Sequence, residues 1–229
     1  MYINRNKADV TLGRSAEFEA MVEEWSTIQA QNAGFVGATV LQSFAHPGLY
    51  TLLSRWTDRD AAIAAGRREQ FTAFARRFIV SGLVRPTRLT EAYESVFEVD
   101  QTNTSASAST AERWIDFSLA TPMVAPAFES MMRQFADLTK QHAPGVLSVR
   151  LRRSAGRDTK YLLLLITTDR AAARDWLLTP EVRSFTETQT MTEILAASPS
   201  AEIHQVVKRY VGPAPEALEP AQAAATRST

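Results

Sequence analysis

The chain has 229 residues, of which 45% are hydrophobic and 22% charged, a composition typical of a globular protein with a substantial core. Acidic and basic residues number 25 each, and this zero net charge disfavours nucleic-acid binding. Because there is no cysteine, a disulfide framework, a catalytic thiolate and a thiolate metal site are excluded.

The first half of the chain is predicted to follow the order strand, helix, strand, strand, helix, strand. A strand over residues 2–12 precedes a helix from Ser15, the expected N-cap, to about Gln31. Apolar residues at spacings of three and four indicate this helix: Phe18, Met21, Val22, Trp25 and Ile28. The last strand is predicted over residues 90–99, where polar and apolar side chains alternate.

A β-hairpin is predicted within residues 34–58. Residues 35–44 are rich in β-branched and aromatic side chains, and His46-Pro47-Gly48 supplies a turn. Residues 49–56 then return antiparallel and end in Trp56. The strand face that meets the helices therefore decides the role of this tryptophan.

The second helical region is expected to begin at a polar cap. Thr57 and Asp58 are the two candidates for that cap, and Gly66 is expected to interrupt the region. In the second half of the chain Asp169 occupies a similar place, and Pro180 is expected to break the helix that follows it.

The same order of elements is predicted again after a polar linker. Residues 100–111 read DQTNTSASASTA, a composition typical of linkers. Beyond it the apolar stripe of the first helix recurs at an offset of 110, as Phe128, Met131, Phe135 and Leu138. A second hairpin is predicted over residues 146–167 and a final strand over residues 202–210. Agreement at four stripe positions indicates an internal repeat.

Two copies of the βαββαβ order predict an α+β fold of two tandem ferredoxin-like units. The expected domains are residues 1–99 and 112–210, joined by the linker 100–111 and followed by a disordered tail over residues 211–229. Helices cover one sheet face of each unit, and the other face is too apolar to lie in water. The two sheets are therefore expected to pack face to face, as a pseudo-dimeric α+β barrel within one chain.

Two stretches of the first copy resemble the antibiotic biosynthesis monooxygenase family of dimeric α+β barrel proteins. They are FEAMVEEWSTIQAQNAGFVGATVL and YTLLSRWTDRDAA, with Gly34-Phe35 and Arg55-Trp56-Thr57-Asp58 as the most specific parts. The resemblance covers the first copy nearly whole and the second more faintly. Because this family includes monooxygenases of aromatic polyketides and haem-degrading enzymes, the resemblance implies a fold more firmly than a reaction.

The resemblance implies a reaction that needs little from the protein. An acidic phenol or anthrone loses a proton, its carbanion passes an electron to dioxygen, and an apolar pocket excludes water. Trp56 matches the family tryptophan that orients the substrate, and Arg76, or Arg77 one residue on, matches a family arginine. The polyketide enzymes also have an asparagine four residues before the tryptophan and a tyrosine six residues after it, where this chain has Leu52 and Ala62.

Further substrate-binding residues are predicted on the strands around Trp56. These candidates are Asn4, Tyr50, Leu52, Ser54 and Tyr93. Structural roles are the alternative: Trp56 as a core residue at the barrel end, the tyrosines as core or rim residues, and Asn4 as an edge residue facing water. Thr167 stands in place of Trp56 in the second copy, which is therefore expected to be more scaffold than site.

No cofactor and no metal ion are expected. The histidines His46, His142 and His204 lack metal-ligand spacing, although His204 is the best placed of them for a haem ligand. The expected partners are a small hydrophobic aromatic substrate and dioxygen, without nucleic acid or membrane, and a homodimer of pseudo-dimers is compatible with the resemblance. A cytoplasmic location is expected, because no apolar run could span a bilayer and the N-terminus lacks a signal-peptide pattern.

The leading hypothesis is a cofactor-independent monooxygenase that oxidises an aromatic polyketide anthrone or a quinol-like substrate. Three alternatives stay open on the same fold. They are a polyketide cyclase, a ligand-binding or structural module without turnover, and a haem-degrading enzyme.

Overall fold

The computed structural model describes residues 1–85, 90–100, 110–188 and 193–212. The strands are β1 Tyr2–Val10, β2 Phe35–Ser43, β3 Leu49–Trp56, β4 Val84–Arg85, β5 Thr90–Asp100, β6 Ala111–Ser118, β7 Val146–Ser154, β8 Lys160–Thr167 and β9 Ser200–Val211. The α-helices are α1 Ser15–Ala30, α2 Arg59–Gly66, α3 Glu69–Val80, α4 Ala125–His142, α5 Arg170–Asp175 and α6 Pro180–Thr186. Short 3₁₀ helices span Pro122–Val124 and Trp176–Leu178.

Contacts divide the chain into two compact units. The first contains Met1–Val40, Gly48–Thr90 and the chain from Lys208 on, and the second contains Leu41–Pro47 and Glu91–Val207. The α+β class and the tandem ferredoxin-like organisation are confirmed. The domain boundaries expected from the sequence stay a prediction, and most of the predicted linker and tail lies outside the described residues. In the part of the chain that the structure describes, no helix is long and apolar enough to cross a membrane.

Strand β1 organises the first unit. It pairs antiparallel with β3, from Tyr2 opposite Trp56 to Asp9 opposite Leu49, and with the short strand β4. Strand β2 lies beside β3. Helices α1 and α3 pack on one face of these strands through a column of rings. In that column Phe18 of α1 lies 4.8 Å from Tyr50 of β3 and 6.1 Å from Phe78 of α3, measured between ring centroids.

The N-cap of helix α1 lies one residue before the position predicted from the sequence. Arg14 occupies the N-cap, its carbonyl accepts from the Phe18 N–H at 3.0 Å, and its guanidinium bonds the Glu17 carboxylate at 2.7 Å. The prediction of Ser15 as the N-cap is therefore wrong. The reason is a tight turn, in which the Arg14 N–H donates to the Thr11 carbonyl and already turns the chain into the helix.

The helices that follow each hairpin begin in the same way. Asp58 has extended backbone and its carboxylate accepts from the Ala61 N–H at 2.8 Å, which identifies it rather than Thr57 as the cap. Asp169 accepts from the Ala172 N–H at 2.9 Å. Both predicted helix interruptions are also confirmed, since α2 ends at Gly66 and α6 begins at Pro180.

The second unit has the complete ferredoxin-like strand order β9-β6-β8-β7. Strand β6 pairs with β8 from Ala111 opposite Thr167 to Ser118 opposite Lys160, and β9 pairs along its other edge. Strand β5 pairs with β7.

The internal repeat extends to side-chain contacts. Phe128 of α4 lies 4.9 Å from Tyr161 of β8, and the Tyr161 hydroxyl donates to Glu129 at 2.7 Å. The corresponding Tyr50 hydroxyl donates to Glu19 at 3.0 Å in the first unit. Equivalent ring and hydroxyl contacts therefore attach α1 to β3 in the first unit and α4 to β8 in the second.

Candidate active site

The first unit contains a cavity of about 540 Å³, a volume within the range of small-molecule sites. It lies on the helix-covered face of β1 and β3, beneath α1 and α3. Five aromatic residues line it: Phe18, Trp25, Phe71, Phe74 and Phe78. Phe74 and Phe78 stack with ring centroids 6.0 Å apart, which gives α3 a flat aromatic surface toward the cavity. A flat apolar ligand fits these walls.

A small polar group lines the same cavity. Asn6 of β1 and Thr90 at the start of β5 both line it, and the Thr90 hydroxyl donates to Asn6 Oδ1 at 2.8 Å. This bond orients the amide and leaves Asn6 Nδ2 without an acceptor among the described residues. Arg85 also lines the cavity, but its guanidinium is largely exposed and lies 3.7 Å from the Asp9 carboxylate. Lys7 also lines the cavity, but it follows Asn6 directly on β1, so its side chain leaves the opposite face of the sheet. Asn6 is thus the polar donor best placed to meet a bound oxygen atom.

Asn6 supplies the cavity with an amide that the hairpin strand β3 lacks. Leu52 stands four residues before Trp56, where the resemblance implies an asparagine, and Leu52 lines the cavity. In the antiparallel register its partner on β1 is Asn6. Directly opposed residues of two strands point to the same sheet face, so Asn6 places its amide beside Leu52. Asn6 is not among the site residues predicted from the sequence, although the predicted residue Asn4 lies on the same face of β1.

Trp56 lies in a packed aromatic cluster beyond the cavity wall. It is 2% exposed, and its indole N–H donates to Ser54 Oγ at 3.1 Å. Its ring lies 5.1 Å from Phe35, which in turn lies 6.4 Å from Trp25 of the cavity wall, measured between centroids. Trp56 therefore contacts the cavity through two intervening rings, and its N–H already has an acceptor. Its catalytic role stays a prediction.

Four other predicted site residues lie on β1 and β3. Asn4 is half-buried and pairs with Ser54, so the structure brings these two residues and Trp56 together. Tyr50 is buried behind Phe18, and both burial and its bond to Glu19 raise the pKa of its hydroxyl. Among all the predicted site residues, each of which the structure describes, Leu52 alone lines the cavity.

Two further candidates lie away from the cavity. Arg76 is exposed on α3, and its neighbour Arg77 pairs with Glu24 of α1. Tyr93 belongs to the second unit, where its hydroxyl donates to Glu91 at 3.0 Å. The proposed roles of Arg76 and Tyr93 remain untested predictions.

The second unit contains a cavity of its own, of about 490 Å³. It is lined by the helix-facing side chains of β6 and β8, by α4 and by the chain around Trp176 and Leu195. Among its described lining residues the polar side-chain groups are the Arg113 guanidinium, the Trp176 indole N–H and the hydroxyls of Thr186 and Ser198. The second copy was expected to be more scaffold than site, yet it too contains a cavity large enough for a small ligand.

The histidines do not form a metal site. His204 is fully buried and packs its ring 4.7 Å from that of Trp114, with Nε2 3.6 Å from the Glu202 carboxylate. Over the described ranges there is no cluster of three or more histidine, aspartate or glutamate side chains that could hold a metal ion.

Comparisons with known proteins agree with this architecture. A putative monooxygenase from Fusobacterium nucleatum superposes with a TM-score of 0.72 at 11% identity, covering 92% of this chain and 94% of its own. A putative monooxygenase from Lactobacillus acidophilus gives 0.68 at 9% identity, covering 92% and 95%. An anthrone oxidase-like protein gives 0.69 at 11% identity, covering 93% and 94%. At these identities the similarity establishes the fold.

The sequence comparisons bear on the first unit. No curated protein matches this chain. The profile of the antibiotic biosynthesis monooxygenase family matches residues 1–77, which run from β1 through most of α3 and supply ten of the fifteen described residues that line the first cavity. Over residues 1–77 the chain is therefore similar to the antibiotic biosynthesis monooxygenase family.

Proposed function

We propose that this protein is a cofactor-independent monooxygenase that oxidises a small hydrophobic aromatic substrate, of the polyketide anthrone or quinol type, in the cavity of the first unit. The observation that carries the proposal is the Asn6 amide, oriented by Thr90 in a cavity that five aromatic rings help to line. Its free N–H group is suited to a phenolate or enolate oxygen, and the rings are suited to the flat body of the substrate.

The chemistry needs no external reductant, because the substrate supplies the electrons. An anthrone methylene loses a proton to give a carbanion that is delocalised onto the ring oxygen, and one electron then passes to dioxygen. Recombination forms a C–O bond, and the peroxide takes up the proton that was lost to become a hydroperoxide. Breaking of its O–O bond and of the remaining C–H bond releases water and leaves a carbonyl. One oxygen atom of dioxygen is then in the product and the other in water. The amide of Asn6 would stabilise the negative charge on the ring oxygen, and the aromatic wall would keep water from the intermediates.

The lining also restricts the substrate. Among the described residues that line the cavity there is no carboxylate and no imidazole, so an obvious general base is missing from its wall. A substrate that is itself acidic, with its anion delocalised and stabilised by one hydrogen bond, meets this limit. Anthrones and hydroquinones ionise with pKa values of about 10, as phenols do, whereas unactivated aromatic rings do not ionise in water.

Oxygen uptake with an anthrone tests the proposal. The wild-type protein should consume oxygen above the protein-free rate, and the product should contain one oxygen atom from ¹⁸O₂. Replacing Asn6 with alanine should lower kcat/KM by on the order of a hundredfold, as expected for the loss of one donor to a developing oxyanion. Product mass separates oxidation from cyclisation, because cyclisation adds no oxygen atom.

Asn4→Ala is the matched control. Asn4 lies two residues from Asn6 on the same face of β1, and it stays outside the described lining of the cavity. Its replacement should change kcat/KM by no more than about twofold. Equal losses in the two variants would contradict the assignment of Asn6, and an absence of oxygen uptake by the wild type would overturn the oxygenase proposal.

A further inference from the structure

Arg113 is the one cation among the described residues that line the second cavity, and no carboxylate among them neutralises it. Arg113 of β6 is half-buried, and its guanidinium is held by backbone carbonyls, with Nη1 donating to Ala173 at 3.1 Å. No carboxylate among the described residues pairs with it. Burial accordingly lowers the pKa of the Arg113 guanidinium. A buried cation without a counter-charge is costly, and an anion in the cavity would offset that cost.

Arg113 is not inherited from the scaffold that the two units share. It pairs with Leu165 on β8, and the matching pair in the first unit is Asn4 with Ser54. Its neighbour in the cavity, Ile115, likewise stands where the first unit has Asn6. On the first strand of each unit, the polar side chain that lines the cavity is therefore an amide at the Asn6 position in one unit and a cation at the Asn4 position in the other.

A second N–H donor in the same wall also lacks an acceptor. Trp176 is 4% exposed and lines the cavity, and its Nε1 has no hydrogen-bond partner among the described residues. The same holds for Nε of Arg113. The Arg113 guanidinium carbon lies 5.8 Å from the Trp176 ring centroid, so both donors belong to one corner of the cavity. Buried donors without acceptors are rare in folded proteins and mark places where an acceptor is expected.

The remaining wall defines the body of a ligand. Apolar side chains of the sheet and of α4 surround the space: Ile115, Phe117, Met132, Phe135 and Leu163. The Trp176 ring meets Phe135 edge to face at 5.3 Å, which leaves rigid aromatic surfaces beside the two donors.

We propose that the cavity of the second unit binds a small aromatic carboxylate, with its carboxylate on Arg113 and the Trp176 indole N–H and its ring among the apolar side chains. A carboxylate matches the planar guanidinium and can accept from two donors at once. This site is separate from the proposed oxidation site, because every residue that lines it belongs to the second unit.

Titration calorimetry on the full chain with 2-naphthoate and its neutral analogue 2-naphthamide tests the proposal. Wild-type protein should bind the carboxylate more tightly than the amide. Arg113→Met should weaken 2-naphthoate binding by about tenfold or more and change 2-naphthamide binding by about twofold or less. Arg113→Lys should retain part of the affinity, because it keeps the charge and loses the planar fork.

Arg133→Met is the matched control. Arg133 also lies over an aromatic ring, 5.0 Å from the Phe97 centroid, and its Nη2 donates to the Val96 carbonyl at 3.3 Å, but it lies outside the cavity lining. Its replacement should leave both dissociation constants within about twofold of the wild type. Thermal unfolding establishes that each variant is folded, and if Arg113→Met is not, Arg113→Lys and Trp176→Phe carry the test.

Three results would overturn the proposal. One is equal affinity of the wild type for the carboxylate and the amide, or no binding of either. Another is an unchanged affinity for 2-naphthoate in folded Arg113→Met, which would place the ligand elsewhere. The third is an equal loss in Arg113→Met and Arg133→Met. Oxygen uptake with an anthrone is measured separately, so failure of the oxidation proposal leaves this result unaffected.

Discussion

The two units place similar cavities on the same face of the same strands, yet they line them differently. In the first unit the polar group is Asn6, a neutral amide whose oxygen is already bonded to Thr90. In the second unit it is Arg113, a half-buried cation held by backbone carbonyls. The ring and hydroxyl contacts that attach the first helix to the third strand are kept in both units. A repeated backbone can therefore keep its packing while the side chains of one cavity change chemistry.

Filling each cavity in turn should give the largest effects and tests whether the two cavities act separately. Leu52 and Leu163 occupy matching positions on β3 and β8, and each lines the cavity of its own unit. Leu52→Trp should lower anthrone-dependent oxygen uptake by about tenfold or more and spare 2-naphthoate binding, because the added ring occupies the first cavity. Leu163→Trp should do the reverse. If either substitution affects both readouts equally, the two cavities do not act separately.

A second contrast concerns the glycine before each hairpin. An added Cβ on Gly34 or on Gly145 would lie 2.6 Å from an alanine Cβ of the following helix, but only Gly34 has a positive φ, of 80°. Gly34→Ala should therefore lower the free energy of unfolding by about 1–3 kcal/mol more than Gly145→Ala, because it adds backbone strain and a second clash: the new Cβ would lie 2.6 Å from Thr57 Oγ1, whereas Thr168 Oγ1 would lie 3.5 Å from the Cβ at Gly145. Urea denaturation measures the difference, and equal losses would argue against the strain.

A third test separates cavity wall from core among the tryptophans of the first unit. Trp25→Phe removes contact surface from the cavity and should lower kcat/KM for an anthrone by about fourfold. Trp56→Phe loses the hydrogen bond to Ser54 and should lower the free energy of unfolding by about 1 kcal/mol, with kcat/KM within about twofold of wild type. A large kinetic loss in Trp56→Phe would instead support the catalytic role expected from the sequence.

The smallest expected effect is a difference in alkaline stability between the paired tyrosines. Burial, followed by the hydrogen bond to Glu129, raises the pKa of Tyr161 to about 12. Between about pH 10 and the folded pKa, the folded state therefore keeps this proton, whereas the unfolded chain, with a tyrosine pKa of about 10, loses it. The stability from this group is fully present below about pH 10 and is lost as pH rises toward the folded pKa.

Tyr161→Phe should remove that part of the alkaline loss, at a cost of about 1 kcal/mol near neutral pH. Tyr50→Phe should act in the same direction, since burial also raises the pKa of Tyr50. Unfolding by urea at pH 8, 10 and 11 measures both variants. An alkaline loss that is unchanged in Tyr161→Phe would show that another group carries it.

Much of the fold was predictable because local periodicity determines it. The stripe that repeats at an offset of 110 and the turn at His46-Pro47-Gly48 were enough to predict the helices and hairpins of both units. The N-cap of α1 was not, because a turn hydrogen bond between Arg14 and Thr11 competes with the capping preference of Ser15.

The candidate sites were predictable only in part. Strand parity put Leu52 on the face where the cavity lies, but Asn6 became a candidate only through its pairing with Leu52 across β1 and β3. Parity alone could not choose between Asn4 and Asn6, since both point to the same face. The choice depends on how far along the sheet the helices leave a space.

What the sequence by itself determined is the repeated strand and helix order, the two hairpins and the polarity of each strand face, because these depend on residues close along the chain. Only the tertiary structure decided which polar side chains meet a cavity. Arg113 and Trp176 are more than sixty positions apart in the chain and share one corner of the second cavity. Such a meeting depends on register and helix packing, which no local pattern specifies.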